Sequence, residues 1–78
     1  MTSKALHATA RLYDEAAAEL ERALGHCRVA ADHFRNGEVP RGAAHAWAAR
    51  GHLVNVHERL DVQAREHAAR ALLPAEER

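Results

Sequence analysis

The sequence predicts an all-α protein, a long antiparallel helical hairpin that pairs as a homodimeric four-helix bundle. Three observations lead to this fold class. The 78 residues include nineteen alanines and no isoleucine, and alanine is the strongest helix former. Four glycines and two prolines fall mainly in or near one short stretch. Apolar residues recur at helical spacing on both sides of that stretch, which indicates a single hairpin domain over residues 1–78.

The first predicted helix covers residues 3–36, and Thr2 or Ser3 is suited to cap its N-terminus. Its apolar residues follow alternating steps of four and three. This 3.5-residue repeat is typical of left-handed bundle packing. Because the pattern continues past Gly25, we expect one continuous helix. The row consists of Leu6, Ala10, Tyr13, Ala17, Leu20, Leu24, Cys27, Ala31 and Phe34.

A turn is predicted over residues 36–39, within the stretch NGEVP. Asn or Gly suits the left-handed conformation that ends a helix, and proline suits the first turn of the next one. A short connection between two helices of about 50 Å makes an antiparallel hairpin.

The second predicted helix covers residues 40–73 and ends before Pro74, with a frayed tail over residues 74–78. Trp47 and Val54 flank its apolar row. Gly51 follows Trp47 by about one turn, and we expect it to permit a close backbone approach. The row consists of Ala46, Ala49, Leu53, Val56, Leu60, Ala64, His67 and Ala71.

The small core predicts oligomerisation, because alanine contributes little apolar area and a lone two-helix hairpin of this size is marginally stable. A homodimer is the simplest solution, while a tetramer and an additional protein partner remain open. The residues predicted to form interfaces between helices are Leu6, Tyr13, Leu20, Leu24, Cys27, Phe34, Trp47, Leu53, Val56, Leu60 and His67.

The charge balance and the cysteine count exclude several classes of protein. Eleven Lys and Arg residues offset eleven Asp and Glu residues, so the basic excess of a general nucleic-acid binder is absent. One cysteine forms neither an internal disulfide nor a cysteine-based zinc cage. No membrane-length apolar run or secretory segment occurs, and we expect a cytoplasmic protein with no cofactor. The abundance of Arg and Ala suggests a bacterial genome rich in G and C.

The seven histidines raise the possibility of metal binding or acid–base chemistry. No two of them are three or four residues apart, so no single helix presents a metal site. His26 and His33, like His45 and His52, lie two turns apart, about 10.5 Å along the helix axis. These four are therefore candidate metal ligands only across helices, where His57 is a further option. The alternative is that they are solvated or pack between helices.

His67 lies on the apolar row of the second helix, where an imidazole needs a partner. Glu15 or Asp14 of the first helix can supply a carboxylate, because antiparallel pairing brings the two chain ends together. One hypothesis is an interface histidine with a satisfied hydrogen bond. The other is a dimer that loosens near pH 6.

No sequence motif indicates an enzyme of the usual kinds. A Gly-rich phosphate loop, G-x-S-x-G and H-E-x-x-H are all missing. Residues 31–49, ADHFRNGEVPRGAAHAWAA, are however similar to the helix–turn–helix centre of HEPN-like proteins, including their PaREP1-type group. They also resemble the turn of a tetratricopeptide repeat.

The HEPN resemblance implies a helical bundle, dimerisation and a role in RNA binding or metal-independent RNA cleavage by an Arg-x(4–6)-His motif. Arg28 with His33, and Arg50 with His57, match that spacing. Arg50 and His57 would be the catalytic pair, since both lie in the second helix after the turn. The sequence thus predicts a protein–protein interaction and assembly module, with HEPN-like RNA chemistry and histidine metal binding as alternatives.

Overall fold

The computed structural model describes residues 2–76 and confirms the all-helical hairpin over that range. The first helix, α1, covers Ser3–Arg35, and the second, α2, covers Val39–Arg70. A short 3-10 turn follows at Pro74–Glu76. Glu77 and Arg78 of the predicted tail lie outside the described residues. As expected, α1 continues through Gly25 without a break.

Local hydrogen bonds explain where α1 begins and ends. The side-chain oxygen of Thr2 accepts a hydrogen bond from the Ala5 backbone N–H at 3.1 Å, which satisfies one of the unpaired donors of the first turn. At the other end, Gly37 has a φ of +75°, in the left-handed region that favours glycine. The Glu38 N–H then donates to the His33 carbonyl at 2.8 Å and closes the turn.

The α2 helix ends at Arg70, three residues before position 73. Ala71 already has an extended backbone, with φ −74° and ψ 130°. In a continuing helix, the ring of Pro74 would meet the carbonyl of Arg70, four residues earlier. Leu72 and Leu73 are exposed, so no packing offsets that conflict. The proline therefore acts a full turn upstream of its own position.

The most buried residues form one row on each helix. Ala16, Ala23 and Ala30 are buried on α1 at intervals of seven residues. On α2 the corresponding row consists of Gly42, Ala49 and Val56, again seven apart. Small side chains let helix axes approach closely, and the two rows therefore define the line along which α1 and α2 meet.

Glycine contributes a close contact at Gly42, whereas the approach expected at Gly51 is wrong. A Cβ atom built on Gly42 would lie 2.8 Å from the ring of Phe34. Gly51 is exposed, and nothing lies within 4 Å of a Cβ built there. The reason is helical phase, because Gly51 follows the buried Ala49 by two residues and therefore points away from α1.

The hairpin is a single layer of helix. Its principal extents are 62 × 31 × 12 Å and its radius of gyration is 18.4 Å. A compact domain of this length would have a radius of gyration of about 11 to 12 Å. The buried hydrophobic residues are four alanines and Val56, so the described chain contains no large buried side chain. No helix within residues 2–76 carries an apolar segment that could cross a bilayer.

Candidate functional site

Large apolar side chains cover one broad side of the hairpin and remain in contact with solvent. We call this side the apolar face. About half of the surface of Leu6, Tyr13, Leu20, Leu24 and Phe34 is exposed. The face consists of Leu6, Tyr13, Leu20, Leu24, Cys27 and Phe34 on α1 and Leu53 and Leu60 on α2.

Both helices contribute to the same side because residues of the face follow the buried row by the same number of positions on each helix. Leu20 follows the buried Ala16 by four residues, and Leu53 follows the buried Ala49 by four residues. Two antiparallel helices are related by a local two-fold axis perpendicular to their common plane. Rows at the same offset from the buried row therefore emerge on the same side of that plane.

The predicted interface residues are thus distributed over four places. Eight of them form the apolar face. Val56 is buried between α1 and α2. His67, seven residues after Leu60, is exposed at the open end of the hairpin. Trp47 is 75% exposed on the outer side of α2. An interface between chains through these residues stays a prediction.

Four histidines lie along the line where α1 and α2 meet, each three residues after a residue of the buried rows. His26 and His33 of α1 and His45 and His52 of α2 are all partly buried. Their rings stack alternately from the two helices in the order His33, His45, His26, His52. Successive ring centroids are 5.4, 5.2 and 5.5 Å apart. We call these four side chains the histidine column.

The spacing of the column follows from helix geometry. Histidines seven residues apart on one helix are about 10.5 Å apart along its axis. The two histidines of the partner helix are offset along the axis by about half of this distance. The spacing between successive rings therefore falls to about 5 Å. The sequence contains a matching signal, because the separations from Gly37 in the turn are four residues for His33, eight for His45, eleven for His26 and fifteen for His52, so the two helices alternate.

Direct hydrogen bonds link the column at its centre and at both ends. The Nδ1 atoms of His26 and His45 are 2.9 Å apart, within hydrogen-bond distance. At the end beside the turn, His33 Nδ1 donates to Glu38 Oε1 at 3.2 Å. At the other end, His52 Nδ1 donates to Glu19 Oε2 at 2.6 Å. A carboxylate therefore terminates the column on each side.

The fold lowers the pKa of Glu19. Only 18% of its side chain is exposed. The hydrogen bond from His52 lowers the pKa of Glu19 below its ordinary value of 4.5, and a hydrogen bond from Asn55 adds to this effect. Partial burial opposes the shift, while the charges of His52 and Arg59 reinforce it. Glu19 is therefore held as a carboxylate beside the column.

Two arginines complete the charged surroundings of the column. Arg41 donates to Glu38 Oε2 at 3.0 Å, so this carboxylate is shared between an arginine and His33. Arg59 Nε donates to Glu15 Oε2 at 3.3 Å. Glu15 was one of the two carboxylates expected near His67. The structure places Glu15 against Arg59 of the neighbouring helix instead.

The four candidate metal ligands are brought together across helices, but as a column. Their Nδ1 atoms have separate partners, since those of His26 and His45 face each other while those of His33 and His52 face Glu38 and Glu19. Within residues 2–76, no group of three or more His, Cys, Asp or Glu side chains is arranged to hold a metal ion. Sequence reasoning had not identified Glu19 and Glu38 as partners of the histidines. Their signal is the same seven-residue spacing, since Glu19 precedes His26 by seven residues.

The residues implied by the HEPN resemblance are separated from the column, except for His33. Arg50 and His57 are both exposed and lie seven residues apart on α2. Arg28 is exposed on the outer side of α1, while His33 points inward to Glu38. Comparison of the chain with protein-family models, curated proteins and solved structures finds no match. The resemblance stays a prediction.

Proposed function

We propose that this chain is an assembly module that pairs with a second copy of itself through the apolar face, forming a four-helix bundle. The observation that carries the proposal is the layer structure of the hairpin. Stable domains bury the apolar side of one layer against another, and this hairpin is a single layer only 12 Å thick. The eight side chains of the apolar face lie on one side, where a second layer would cover them, while Trp47 lies outside that face.

The size of the face suits a dimer. The broad side of the hairpin measures 62 × 31 Å, and a stable interface needs roughly 800 Å² from each partner. Covering the exposed halves of Leu20 and Leu24 in both copies would contribute about 3 to 6 kcal/mol in total, taking 1.5 to 3 kcal/mol for a fully buried leucine.

The charges along the rim of the face favour a second copy over an unrelated partner. Asp14, Glu21, Arg28 and Arg35 lie seven residues apart and each follows a residue of the face or its row. The first half of this rim is acidic and the second half is basic. Two α1 helices that cross in opposite directions place each acidic half beside a basic half, as a two-fold symmetric dimer allows.

Substitution of the face tests the proposal directly. We expect the double variant Leu20→Gln/Leu24→Gln to weaken association at least about a hundredfold, as measured by sedimentation at a series of concentrations. Leu72→Gln is the matched control, because Leu72 is 56% exposed but lies beyond α2. An unchanged association constant in the double variant would contradict the proposal.

Charge reversal distinguishes a second copy from a different partner. Asp14→Arg/Glu21→Arg makes the rim wholly basic, and Arg28→Glu/Arg35→Glu makes it wholly acidic. Each variant alone should associate more weakly than the wild type at low salt, because like charges then meet across the two-fold axis. An equimolar mixture should recover association as a mixed dimer. If the mixture stays as weak as its components, antiparallel pairing of α1 helices is wrong.

A further inference from the structure

The histidine column lies between α1 and α2. The proposed assembly through the apolar face therefore does not involve it. Polar residues at the centre of a helical hairpin replace apolar contacts that would stabilise it. Four adjacent imidazoles in that position also share one property, since imidazole changes its charge between about pH 5 and pH 8.

The two ends of the column accommodate an added proton. His33 and His52 each donate Nδ1–H to a carboxylate, so a proton added at Nε2 leaves that hydrogen bond intact. The new positive charge then faces Glu38 or Glu19 and strengthens the contact.

The centre of the column does not accommodate an added proton on both of its rings. His26 Nδ1 and His45 Nδ1 face each other at 2.9 Å, which requires an N–H on one ring and a lone pair on the other. If both rings are fully protonated, two N–H groups point at each other and the hydrogen bond is lost. Both rings would also be charged, with centroids only 5.2 Å apart.

Within residues 2–76, no carboxylate forms an ion pair with His26 or His45. From α1 the column faces Glu19, and from the turn and the start of α2 it faces Glu38. Both carboxylates are occupied by the end rings. Arg41 bonds to Glu38, and Arg59 acts on Glu19, so each carboxylate already lies near a further positive charge.

We propose that the central pair His26–His45 is an acid-sensitive lock of the hairpin. The pair holds the helices together while one of its rings is neutral, and it is broken when both rings become charged. The unfolded chain has no such restriction and takes up a proton on every histidine. Each proton that the folded hairpin excludes lowers its folding equilibrium constant about tenfold per pH unit on the acid side of histidine titration.

The test compares the wild type with His45→Gln, whose amide can hydrogen bond to His26 but cannot become charged. Folding equilibrium constants are measured by urea unfolding at about pH 7.5 and about pH 5. Glu19 stays ionised over this interval, because its lowered pKa lies below 4.5. The effects of protonating His33 and His52 are common to both proteins. We expect the ratio of wild-type to variant constants to fall at least about tenfold on acidification.

His57→Gln is the matched control, because His57 is an exposed histidine on the same helix. The ratio of wild-type to control constants should change little between the two pH values. A wild-type to His45→Gln ratio that is the same at both pH values would overturn the proposal.

A second measurement on the wild type needs no variant to fold. Ring-nitrogen NMR reports which imidazole nitrogens carry protons. In the folded hairpin at about pH 5, we expect one ring of the His26–His45 pair to remain neutral, because its Nδ1 must keep the lone pair that accepts the hydrogen bond. Full protonation of both central rings in the folded state would overturn the lock, whatever the state of assembly.

Discussion

Replacing Gly42 by alanine tests how closely α1 and α2 approach beside the turn. A Cβ atom at this position would lie 2.8 Å from Cε2 and Cζ of Phe34 and 2.9 Å from Cδ2. Carbon atoms pack best at about 3.5 to 4.0 Å, so the ring or the helix must shift by more than about 0.6 Å. Overpacking against a fixed group costs about 1 to 3 kcal/mol, and because about half of the Phe34 surface is exposed and its ring can move, we expect the lower end of that range.

Gly51→Ala is the matched control, because Gly51 lies in the same helix with nothing within 4 Å of its added Cβ. Both substitutions gain about 1 kcal/mol from the higher helix propensity of alanine. The control should therefore be more stable than the wild type by about that amount. Gly42→Ala should be less stable than the control by about 1 kcal/mol, which isolates the contact with Phe34.

The assay is urea unfolding followed by circular dichroism at one fixed protein concentration, since association adds to apparent stability. Phe34→Leu removes the ring edge, so combining it with Gly42→Ala should recover most of the loss in a double-mutant cycle. If Gly42→Ala is as stable as Gly51→Ala, the helices do not approach as closely at this point as the structure shows.

Three further predictions concern the acidic end of the column, the apolar face and the first helix cap. Because the fold lowers the pKa of Glu19, its ionised form stabilises the hairpin above pH 4.5, and this contribution is lost as the pH falls through the lowered value. Urea unfolding of Glu19→Gln should show reduced stability at neutral pH but a shrinking difference from the wild type in acid; exposed Glu58→Gln is the control, and a difference independent of pH would contradict the assignment. Cys27 is exposed on the apolar face, so its reaction with a thiol reagent should slow as protein concentration rises, whereas a constant rate would place it outside any interface. Thr2→Ala removes the acceptor of the Ala5 N–H and should lower stability by about 1 kcal/mol in thermal unfolding, while Thr2→Ser should not.

The hairpin was predictable from sequence because its signals are local. The residue that adopts a positive φ, Gly37, and the proline that opens α2 are readable from their own chemistry. The alternation of four and three along α1 was equally readable. The end of α2 was harder to predict. The helix ends at Arg70 because the ring of Pro74 would meet the Arg70 carbonyl in a continuing helix.

The row that packs inside the hairpin was harder to identify, because two rows on α1 share the same seven-residue period. One contains Leu20, Cys27 and Phe34, and the other contains Ala16, Ala23 and Ala30. Hydrophobic patterning selects the larger side chains. Closely packed helices instead place the smaller side chains between them. Which row this is can be determined only when the position of the partner helix is known.

The histidine column depends on the register between α1 and α2, which the sequence of a single helix does not determine. Its rings alternate between α1 and α2, so the column requires the register of one helix against the other, which the turn determines. The pairs His26/His33 and His45/His52 were singled out as cross-helix candidates, but their stacking and their carboxylate partners depend on that register.

The most direct measurement of assembly is the solution mass of the wild-type protein, taken by light scattering while helicity is recorded over a range of concentrations. A helical protein with twice the chain mass of 8.6 kDa is the predicted result, with helicity lost as dilution dissociates it. A fully helical, cooperatively folded species of 8.6 kDa at all concentrations would contradict pairing through the apolar face.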